Sequence, residues 1–347
     1  MNWFEQPCRL PSVEFFEQAQ AHQSNLTKPP GSLGQLEQVA CQLSAMQERQ
    51  SPSLDRIHIS IFAADHGIAK QGVSAFPQSV TLQMISNFLA GGAAISVLAQ
   101  QMQAELEVVN CGCNGEISDA IGLINKPIAK GTADFSIQPA MAEDELLLAL
   151  QLGHEAADRA HQQNSDLFIG GEMGIANTSS ATALAASQLG LPVADLVGPG
   201  TGVDAQQLQH KREVIDRAIA RYDLATPLQR LQTFGGFEIA ALCGAYIRAA
   251  QIGIPVLVDG FISSTAALMA VSINSSVRPW LIFSHAGAEP GHQVVLRALD
   301  ASPLLSIGMR LGEGSGAAVV VSLLRSAVEL HNSMATFADA GVDGKAS

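Results

Sequence analysis

Positive charge is scarce in this sequence, and this scarcity limits the kinds of partner that the protein can bind. The 347 residues contain 19 lysines and arginines against 32 aspartates and glutamates, which gives a net charge of −13. No basic stripe runs along the chain, so we expect no nucleic-acid partner. An anionic small molecule would need its own local pocket of cations and backbone N–H groups.

Cysteines are few, odd in number and scattered, which argues against a disulfide framework. This usage is typical of a reducing compartment, and we expect a cytoplasmic protein. Cys111 and Cys113 lie close together, but no second Cys or His pair completes a zinc-binding spacing, so we expect no metal there. The five cysteines are Cys8, Cys41, Cys111, Cys113 and Cys243.

Signals for secretion and membrane insertion are also missing. The first residues, MNWFEQPCRL, lack the basic start and apolar core of a signal peptide. We find no uncharged apolar run of about 18 residues, the length that a transmembrane helix needs. The sequence therefore predicts no membrane-spanning segment and no membrane partner.

Apolar residues make up 47% of the chain, and they follow two successive patterns. The first fifty residues read as two helices, at 12–26 and 33–49, joined by TKPPGSLG, whose prolines and glycines end a helix. From residue 57, short β-branched runs alternate with longer helical stretches, which predicts βαβ units and a parallel sheet. The predicted strands are 57–65, 105–112, 166–171, 254–260 and 279–285, and the main predicted helices are 80–101, 143–163 and 234–253.

These patterns predict two domains of unequal size. Residues 51–330 would form a large α/β domain, with right-handed crossovers between its parallel strands. Residues 1–50 would combine with about 330–347 into a small, mostly helical domain.

Polar, glycine-rich motifs directly follow four of the predicted strands. Ligands of open parallel sheets bind beyond the carboxyl ends of the strands, so we expect these motifs to converge on one cleft. In chain order the motifs are ADHG, GGEMGIANTSS, DGFISST and SHAGAEPGH.

Two glycine-rich segments open helices and suit a phosphate group. GGEMGIANTSS leads into a helix whose first turn holds Asn177, Thr178 and Ser179, and free N–H groups at a helix start bind phosphate. VGPGTGVD opens a second helix, which carries Lys211 about two turns from its start. Lys211 is either a cation for the phosphate or a solvated residue on the helix surface. Neither segment matches the Walker loop or the GxGxxG dinucleotide motif.

The first strand-end motif and the residues after it leave several roles open. Asp65 and His66 look like a catalytic pair, but an aspartate that fixes the loop explains the motif at least as well, since neighbours on a strand point to opposite sides. Phe76 and Gln83 suit a flat aromatic ligand, whereas core packing is the plain alternative for Phe76.

Candidates for a metal or for covalent catalysis are weak. His285 and His292, with Asp65 and Glu289, are the best metal candidates, but the histidine spacing matches no common helical metal motif, and we expect no metal. No Gly-x-Ser-x-Gly elbow is present, and Cys243 lies in an apolar helical stretch, so we expect no covalent nucleophile.

Glu313 stands alone among small residues in GMRLGEGSGAAVVVSLL, flanked by Gly312 and Gly314 and followed by Gly316. One interpretation places it in the first turn of a helix, where a carboxylate stabilises the dipole by about 0.3–1 kcal/mol. The other is close approach of a ligand, because glycines are poor helix formers and let the backbone come near a ligand. From the residues alone, the protein is an enzyme or binder of a phosphorylated, ring-bearing small molecule.

Eight ordered motifs resemble those of the nicotinate-nucleotide:dimethylbenzimidazole phosphoribosyltransferases, a family that makes the lower-ligand nucleotide of cobalamin. The resemblance extends from Thr27 to the final ELHNSMATFADAGV and covers nearly the whole chain. The motifs are TKPPGSLGQLE, ADHGIAKQGVSAFPQSVT, GEMGIANTSSATA, VGPGTGVD, FGGFEIAAL, VDGFISSTAAL, SHAGAEPGH and MRLGEGSGAA.

The resemblance implies a Rossmann-like, mostly parallel sheet flanked by helices, with a smaller helical domain, in a homodimer. It implies transfer of the 5-phosphoribosyl group of nicotinate mononucleotide to 5,6-dimethylbenzimidazole, giving α-ribazole 5′-phosphate and nicotinate, with no metal and no cofactor. Glu313 would be the catalytic base, and Phe76, Gln83 and Leu311 would bind the acceptor base. The phosphoribosyl and nicotinate contacts would be Glu172, Met173, Gly174, Gly200, Lys211, Gly287 and Arg310.

A single carboxylate suits this reaction. Nicotinate in the mononucleotide is an N-alkylated pyridinium that leaves without an acid, and the incoming benzimidazole loses one N–H, so one base suffices. Hydrolytic glycosidases differ because they need two carboxylates. Three alternatives remain: a non-catalytic sugar-phosphate binding module, a metal-dependent hydrolase that uses Asp65, His66, His285 and His292, and the same transferase with another acceptor such as adenine.

Overall fold

A computed structural model of the chain describes residues 2–200, 202 and 204–343. Thr201 and Val203 of the motif VGPGTGVD, and residues 344–347 of the predicted small domain, lie outside these ranges.

The core is a six-stranded sheet in which all paired strands run parallel. Its strands are β1 (Ile57–Ala64), β2 (Glu105–Gly112), β3 (Leu123–Asn125), β4 (Leu167–Met173), β5 (Val256–Val258) and β6 (Leu281–Phe283). Their order is β3-β2-β1-β4-β5-β6, which is that of the doubly wound dinucleotide-binding fold. The prediction of an α/β, Rossmann-like parallel sheet is confirmed.

The central strand shows why the apolar runs are continuous rather than alternating. β1 pairs with β2 on one edge and with β4 on the other, and all eight of its residues are buried. A strand that is covered on both faces needs apolar side chains at nearly every position. The carboxyl ends of β1, β4, β5 and β6 therefore form one edge from which the polar loops start.

Helices connect the strands and surround the sheet. The α-helices are α1 (Val13–Asn25), α2 (Gln35–Gln47), α3 (Ser79–Leu89), α4 (Ala94–Met102), α5 (Glu143–Gln162), α6 (Asn177–Leu189), α7 (Ala205–Ile219), α8 (Pro227–Phe234), α9 (Phe237–Ile252), α10 (Phe261–Ile273), α11 (Pro290–Ala298), α12 (Ser315–Ser333) and α13 (Phe337–Ala340). Short 3-10 helices occupy Trp3–Glu5, Gly67–Gln71, Val193–Asp195 and Ser275–Trp280.

The predicted helix at 80–101 is wrong as a single unit, because the chain turns between α3 and α4. Gly91 adopts a left-handed φ of 81°, and a helix cannot continue through that conformation. Taken as one unit, Ser79–Met102 is long and apolar enough to cross a membrane by length and composition alone. The sequence pattern predicts no membrane-spanning segment. The turn leaves helices of 11 and 9 residues, each shorter than the roughly 20 residues that span a bilayer.

The N-terminal helices pack against the C-terminal segment, as the predicted small domain requires. Leu26 and Thr336 form an antiparallel bridge, and the Thr27 N–H donates to the Ala335 carbonyl at 3.0 Å. On α12, His331 lies between the Gln23 side chain at 2.9 Å and the Gln50 carbonyl at 3.1 Å. The division into two domains stays a prediction.

Candidate active site

A cleft of about 500 Å³ opens beyond the carboxyl ends of β4, β5 and β6. Three of the four strand-end motifs line it, together with the segment that precedes α12, so the predicted convergence holds for those three. The ADHG motif does not line it. The predicted site residues that do line the cleft are Phe76, Glu172, Met173, Gly174, Gly200, Gly287, Arg310, Leu311 and Glu313.

The start of α6 forms one wall of the cleft. Ala176 takes a left-handed φ of 77° and serves as the N-cap, and Asn177 and Thr178 of the first turn line the cavity. The positive end of a helix dipole favours an anion at this position. The structure thus places the predicted phosphate-binding turn beside the cavity.

Lys211 is buried, with only 1% of its surface exposed, so the interpretation as a solvated helix residue is wrong. Its Nζ donates to the Thr178 hydroxyl at 2.8 Å and to the Gly198 carbonyl at 3.3 Å. Burial lowers the pKa of Lys211 to about 8, although nearby Glu289 acts in the opposite direction. A buried cation therefore stands directly behind the helix turn that lines the cleft.

Glu289 provides a negative charge near Lys211. It is buried, lines the cleft and lies against Gly198, where an added Cβ would collide with its Oε2. Burial raises the pKa of Glu289, while Lys211 and Arg310 lower it. The sequence suggested Glu289 only as a metal ligand, so its place beside Lys211 and Gly198 was missed.

Glu313 does not belong to α12, and the helix-start interpretation is therefore wrong. The helix begins at Ser315, with Gly314 as its N-cap. Gly312, Glu313 and Gly314 all adopt left-handed backbone conformations, with φ of 86°, 63° and 75°. This conformation is unfavourable for a glutamate, and strained residues of this kind persist where the surroundings hold them, often at functional sites.

The glycines around Glu313 are needed because other parts of the protein come close. A Cβ on Gly312 would lie 2.5 Å from Oε1 of Glu172, and a Cβ on Gly316 would collide with the ring of His285. The Gly314 turn packs on the backbone of β4 at Gly171, where a Cβ would lie 2.6 Å from the Glu313 carbonyl carbon. The glycines thus permit contacts within the protein, and Gly312 also lines the cleft. Close approach of a ligand to this turn stays a prediction.

Two carboxyl groups that line the cleft have raised pKa values. Burial, and secondarily the nearby charge of Asp259, raises the pKa of Glu313 to about 7. Burial, and then the neighbouring carboxylates Glu238, Asp259 and Glu313, raise the pKa of Glu172 well above its usual value. Asn177 donates its side-chain amide to Glu172 and so fixes that carboxyl group at the cleft wall.

The proposed acceptor slot has an apolar rim. Phe76 is 50% exposed and Leu311 is 58% exposed, and both line the cleft, so the core-packing interpretation of Phe76 is wrong. Gln83 is exposed on α3 and is not among the cleft-lining residues that the structure describes. Its role as a contact of the acceptor base stays a prediction.

His66 turns away from the cleft into the protein. It is fully buried and lies 2.6 Å from Oε1 of Glu238 and 2.9 Å from the hydroxyl of Ser180. Asp65 accepts the backbone N–H of Asn114 at 2.7 Å. Asp65 therefore fixes a loop, which was the alternative to a catalytic pair with His66.

His292 has both ring nitrogens engaged by the protein. Nδ1 accepts the Gly287 N–H at 2.9 Å, and Nε2 lies 3.0 Å from the Ser264 hydroxyl. Burial lowers the pKa of His292 to about 3, with a smaller contribution from His285. Among the described residues no group of three His, Cys, Asp or Glu side chains could hold a metal ion. The absence of a metal from the reaction remains a prediction.

Asp259 and Glu238 are buried carboxylates behind the cleft wall, beside Gly314 and Gly174, and the sequence did not single them out. Asp259 directly follows β5 in the motif VDGFISST, and Glu238 lies in the first turn of α9 in FGGFEIAAL. The available signal was an acidic residue inside an otherwise apolar motif. That signal does not reveal which groups Asp259 and Glu238 contact, because those groups are far away in sequence.

A model of the family described as Phosphoribosyltransferase matches residues 8–342. The chain belongs to this phosphoribosyltransferase family. It is 54% identical to the nicotinate-nucleotide–dimethylbenzimidazole phosphoribosyltransferase of Pseudomonas putida KT2440, over 98% of this chain and 97% of the relative. It is 52% identical to the enzyme of the same name from Pseudomonas aeruginosa PAO1, over 99% of both chains.

Solved structures agree with the phosphoribosyltransferase assignment. The crystal structure of CobT from Thermus thermophilus superposes with a TM-score of 0.93 at 43% identity, and the match covers 96% of this chain and 100% of that one. A second structure from the same organism, of a nicotinate-nucleotide–dimethylbenzimidazole phosphoribosyltransferase, superposes with a TM-score of 0.92 at 41% identity. The cleft of this phosphoribosyltransferase thus has the start of α6 and the buried Lys211 at one end, and Glu313 beside an apolar rim.

Proposed function

We propose that the chain transfers the 5-phosphoribosyl group of nicotinate mononucleotide to 5,6-dimethylbenzimidazole. The products are α-ribazole 5′-phosphate and nicotinate, and the α-ribazole phosphate serves the nucleotide loop of cobalamin. The observation that carries this proposal is the position of Glu313, which lines the same cleft as the start of α6 and has a pKa of about 7. Relatives with 52% and 54% identity bear the name of this activity.

The phosphate is assigned to the anion-binding end of the cleft. Lys211 supplies a buried positive charge, the first turn of α6 supplies the positive end of a dipole, and Arg310 lines the opening. Hydrogen bonds to a charged group are worth roughly 1.5–3 kcal/mol each, so this end can hold the mononucleotide while its ribose carbon faces Glu313.

The transfer balances with one base and no acid. The basic nitrogen of the benzimidazole attacks C1′ of the ribose, the bond from C1′ to the nicotinate nitrogen breaks, and the electron pair returns to the pyridine ring, which becomes neutral. Attack from the opposite face inverts C1′. As positive charge develops on the benzimidazole, its N–H becomes acidic and Glu313 accepts the proton. A base whose pKa lies near the working pH is well matched to this step.

A mass-resolved product assay tests the proposed function. The purified chain is incubated with nicotinate mononucleotide and 5,6-dimethylbenzimidazole, before and after exhaustive chelation of metal ions. We expect α-ribazole 5′-phosphate and nicotinate in equal amounts under both conditions. Binding of the mononucleotide without product would indicate a sugar-phosphate binding module instead. Hydrolysis that stops on chelation and returns with a divalent ion would indicate a metal-dependent hydrolase.

The rim of the cleft bears on which base the enzyme accepts. Phe76 and Leu311 form an apolar rim, and one methyl group in an apolar pocket changes discrimination by only about 1–3 kcal/mol. We propose 5,6-dimethylbenzimidazole because the relatives are named for dimethylbenzimidazole. Values of kcat/KM for dimethylbenzimidazole, benzimidazole and adenine, measured in parallel, decide between acceptors.

We also propose that the enzyme is a cytoplasmic homodimer. All five cysteines are buried and unbridged, which supports a reducing compartment. Residues 71–104 contain no charged side chain although Val97 of α4 is 55% exposed, and the centres of protein interfaces are depleted of charge. Sedimentation of the native chain tests the dimer, and fractionation of cells tests the compartment.

A further inference from the structure

Asp259 connects the end of the sheet to the turn that carries Glu313. It follows β5 directly and is 1% exposed. Its Oδ2 accepts the backbone N–H of Gly314 at 3.1 Å, and its Oδ1 accepts the backbone N–H of Ala317 at 2.8 Å. One carboxylate thus holds the residue after Glu313 and the first turn of α12 at the same time.

The turn that carries Glu313 has an unfavourable backbone conformation, which contacts from the rest of the protein must stabilise. Gly312, Glu313 and Gly314 are all left-handed, and a glutamate in that conformation is strained. Ser315 closes the turn internally, because its hydroxyl donates to the Gly312 carbonyl at 2.6 Å. That bond fixes the shape of the turn, whereas the two bonds to Asp259 fix where the turn sits relative to β5.

We propose that Asp259 is a positioning residue, which sets the place of the Glu313 carboxylate in the cleft through the backbone of Gly314 and Ala317. The inference rests on the proposed function, since it assigns Asp259 to the step that Glu313 performs. Asp259 does not line the cleft among the described residues, so its action on the substrates is indirect.

Several other charged or titratable groups lie near Glu313, and their contacts differ from those of Asp259. Glu172 at the end of β4 lies against Gly312. His285 after β6 has its Nδ1 3.9 Å from Oδ1 of Asp259, and Arg310 and Glu289 line the same cleft. Asp259 is the one of these carboxylates that both bonds the backbone of the turn and contributes to the raised pKa of Glu313.

Asp259→Asn separates positioning from a general effect on folding. An asparagine offers one oxygen and one NH₂ group to two backbone N–H donors, so one of the two bonds is lost. We expect kcat to fall about 10²-fold, the scale for a reacting group misplaced by about 1 Å, with the KM for nicotinate mononucleotide unchanged. Loss of the negative charge also moves the rise of kcat with pH to lower pH.

Asp166→Asn is the matched control at the opposite end of the sheet. Asp166 is also buried, and it accepts the backbone N–H of Arg56 at 3.0 Å and the hydroxyl of Ser53 at 3.2 Å. The same chemical change there removes a loop-fixing carboxylate far from the cleft. It should lower thermal stability while kcat per folded molecule and the pH profile stay as in the wild type.

The decisive comparison places Asp259→Asn in a Glu313→Gln background. If Asp259 acts through Glu313, the double variant is no slower than Glu313→Gln alone. Asp259→Ser serves in the same cycle if the asparagine variant does not fold, because a serine hydroxyl removes the charge and keeps one acceptor oxygen. A wild-type kcat and pH profile in either Asp259 variant, or an equal further loss in the Glu313→Gln background, would overturn the inference. Failure of the proposed function itself would give a different result, because the unsubstituted enzyme would then form no product.

Discussion

The ammonium group of Lys211 donates a 2.8 Å hydrogen bond to the hydroxyl of Thr178, inside the protein. Thr178 lies in the first turn of α6 and lines the cleft, so the buried ammonium group of Lys211 is one residue away from the cavity. A lysine is rarely buried without a partner, because removing a charge from water is costly. The burial of Lys211 is explained if the phosphate of a bound substrate provides its negative partner.

Substitution of Lys211 by methionine should selectively weaken binding of the mononucleotide. Methionine preserves most of the buried volume, so the main loss is a charged hydrogen bond of roughly 1.5–3 kcal/mol, which corresponds to a roughly 10- to 150-fold rise in KM. Steady-state kinetics should show the KM of the acceptor base unchanged. Lys126→Met, at an exposed pair with Glu155, is the control. Equal effects of Lys211→Met on both substrates would place the lysine elsewhere in the mechanism.

Replacement of Phe76 by alanine should weaken binding of the acceptor base. The ring is half exposed at the cleft, so its loss costs little folding free energy. Stacking of a base on an aromatic ring is worth roughly 1–3 kcal/mol, and we expect the KM of the base to rise about 5- to 150-fold. Leu148→Ala, at an exposed apolar residue of α5, is the control. A fall in melting temperature with unchanged kinetics would show that Phe76 stabilises the fold and does not bind the acceptor base.

The pH profile of kcat/KM should be bell-shaped. Glu313 must be ionised to accept a proton, and its pKa of about 7 makes activity rise as pH increases through that value. Lys211 must be protonated to bind the phosphate, and its pKa of about 8 makes activity fall above it. Glu313→Gln should remove the acid limb, and Lys211→Met the alkaline limb. A flat wild-type profile from pH 6 to pH 9 would contradict both assignments.

Glu313→Gln should stabilise the folded protein at neutral and alkaline pH. The folded-state pKa is raised from 4.5 to about 7, so the ionised form is disfavoured on folding. The resulting cost is absent well below pH 4.5, grows between about pH 4.5 and 7, and reaches about 3 kcal/mol above pH 7. Urea unfolding should therefore show a larger gain for the variant at pH 8 than at pH 5.

A matched substitution on α12, the helix that follows Glu313, controls for the change from carboxylate to amide. Glu329 is exposed on α12, and Glu329→Gln should change the free energy of unfolding by no more than about 0.5 kcal/mol. Equal stability of Glu313→Gln and the wild type at both pH values would show that Glu313 is not destabilised by burial.

Much of the fold was predictable because apolar periodicity reports burial directly. The β-branched run at β1 is buried throughout, and its length and flanking loops identify a central parallel strand. β3 was missed because it has only three residues, of which two are partly exposed and one is exposed. The break at Gly91 was missed because a glycine inside an apolar helical pattern does not by itself reveal a left-handed turn.

The site was predictable only where its residues are neighbours in sequence. The turn at Asn177 and Thr178 is recognisable from the glycines that precede it, and it lines the cleft. Asp259 could not be assigned a partner, because the groups it bonds lie 55 and 58 residues further along the chain. The burial of Lys211 likewise depends on the loop at Gly198, and the glycines near Glu313 depend on Glu172 and His285.

The most direct measurement is kcat for Glu313→Gln with both substrates saturating at pH 8. The amide keeps the shape of the side chain and cannot accept the proton. A positioned general base contributes about 10²–10⁴-fold, so kcat should fall by that factor while binding of nicotinate mononucleotide stays at the wild-type level. A kcat close to that of the wild type in a folded variant would contradict the assignment of Glu313 as the base that drives the transfer.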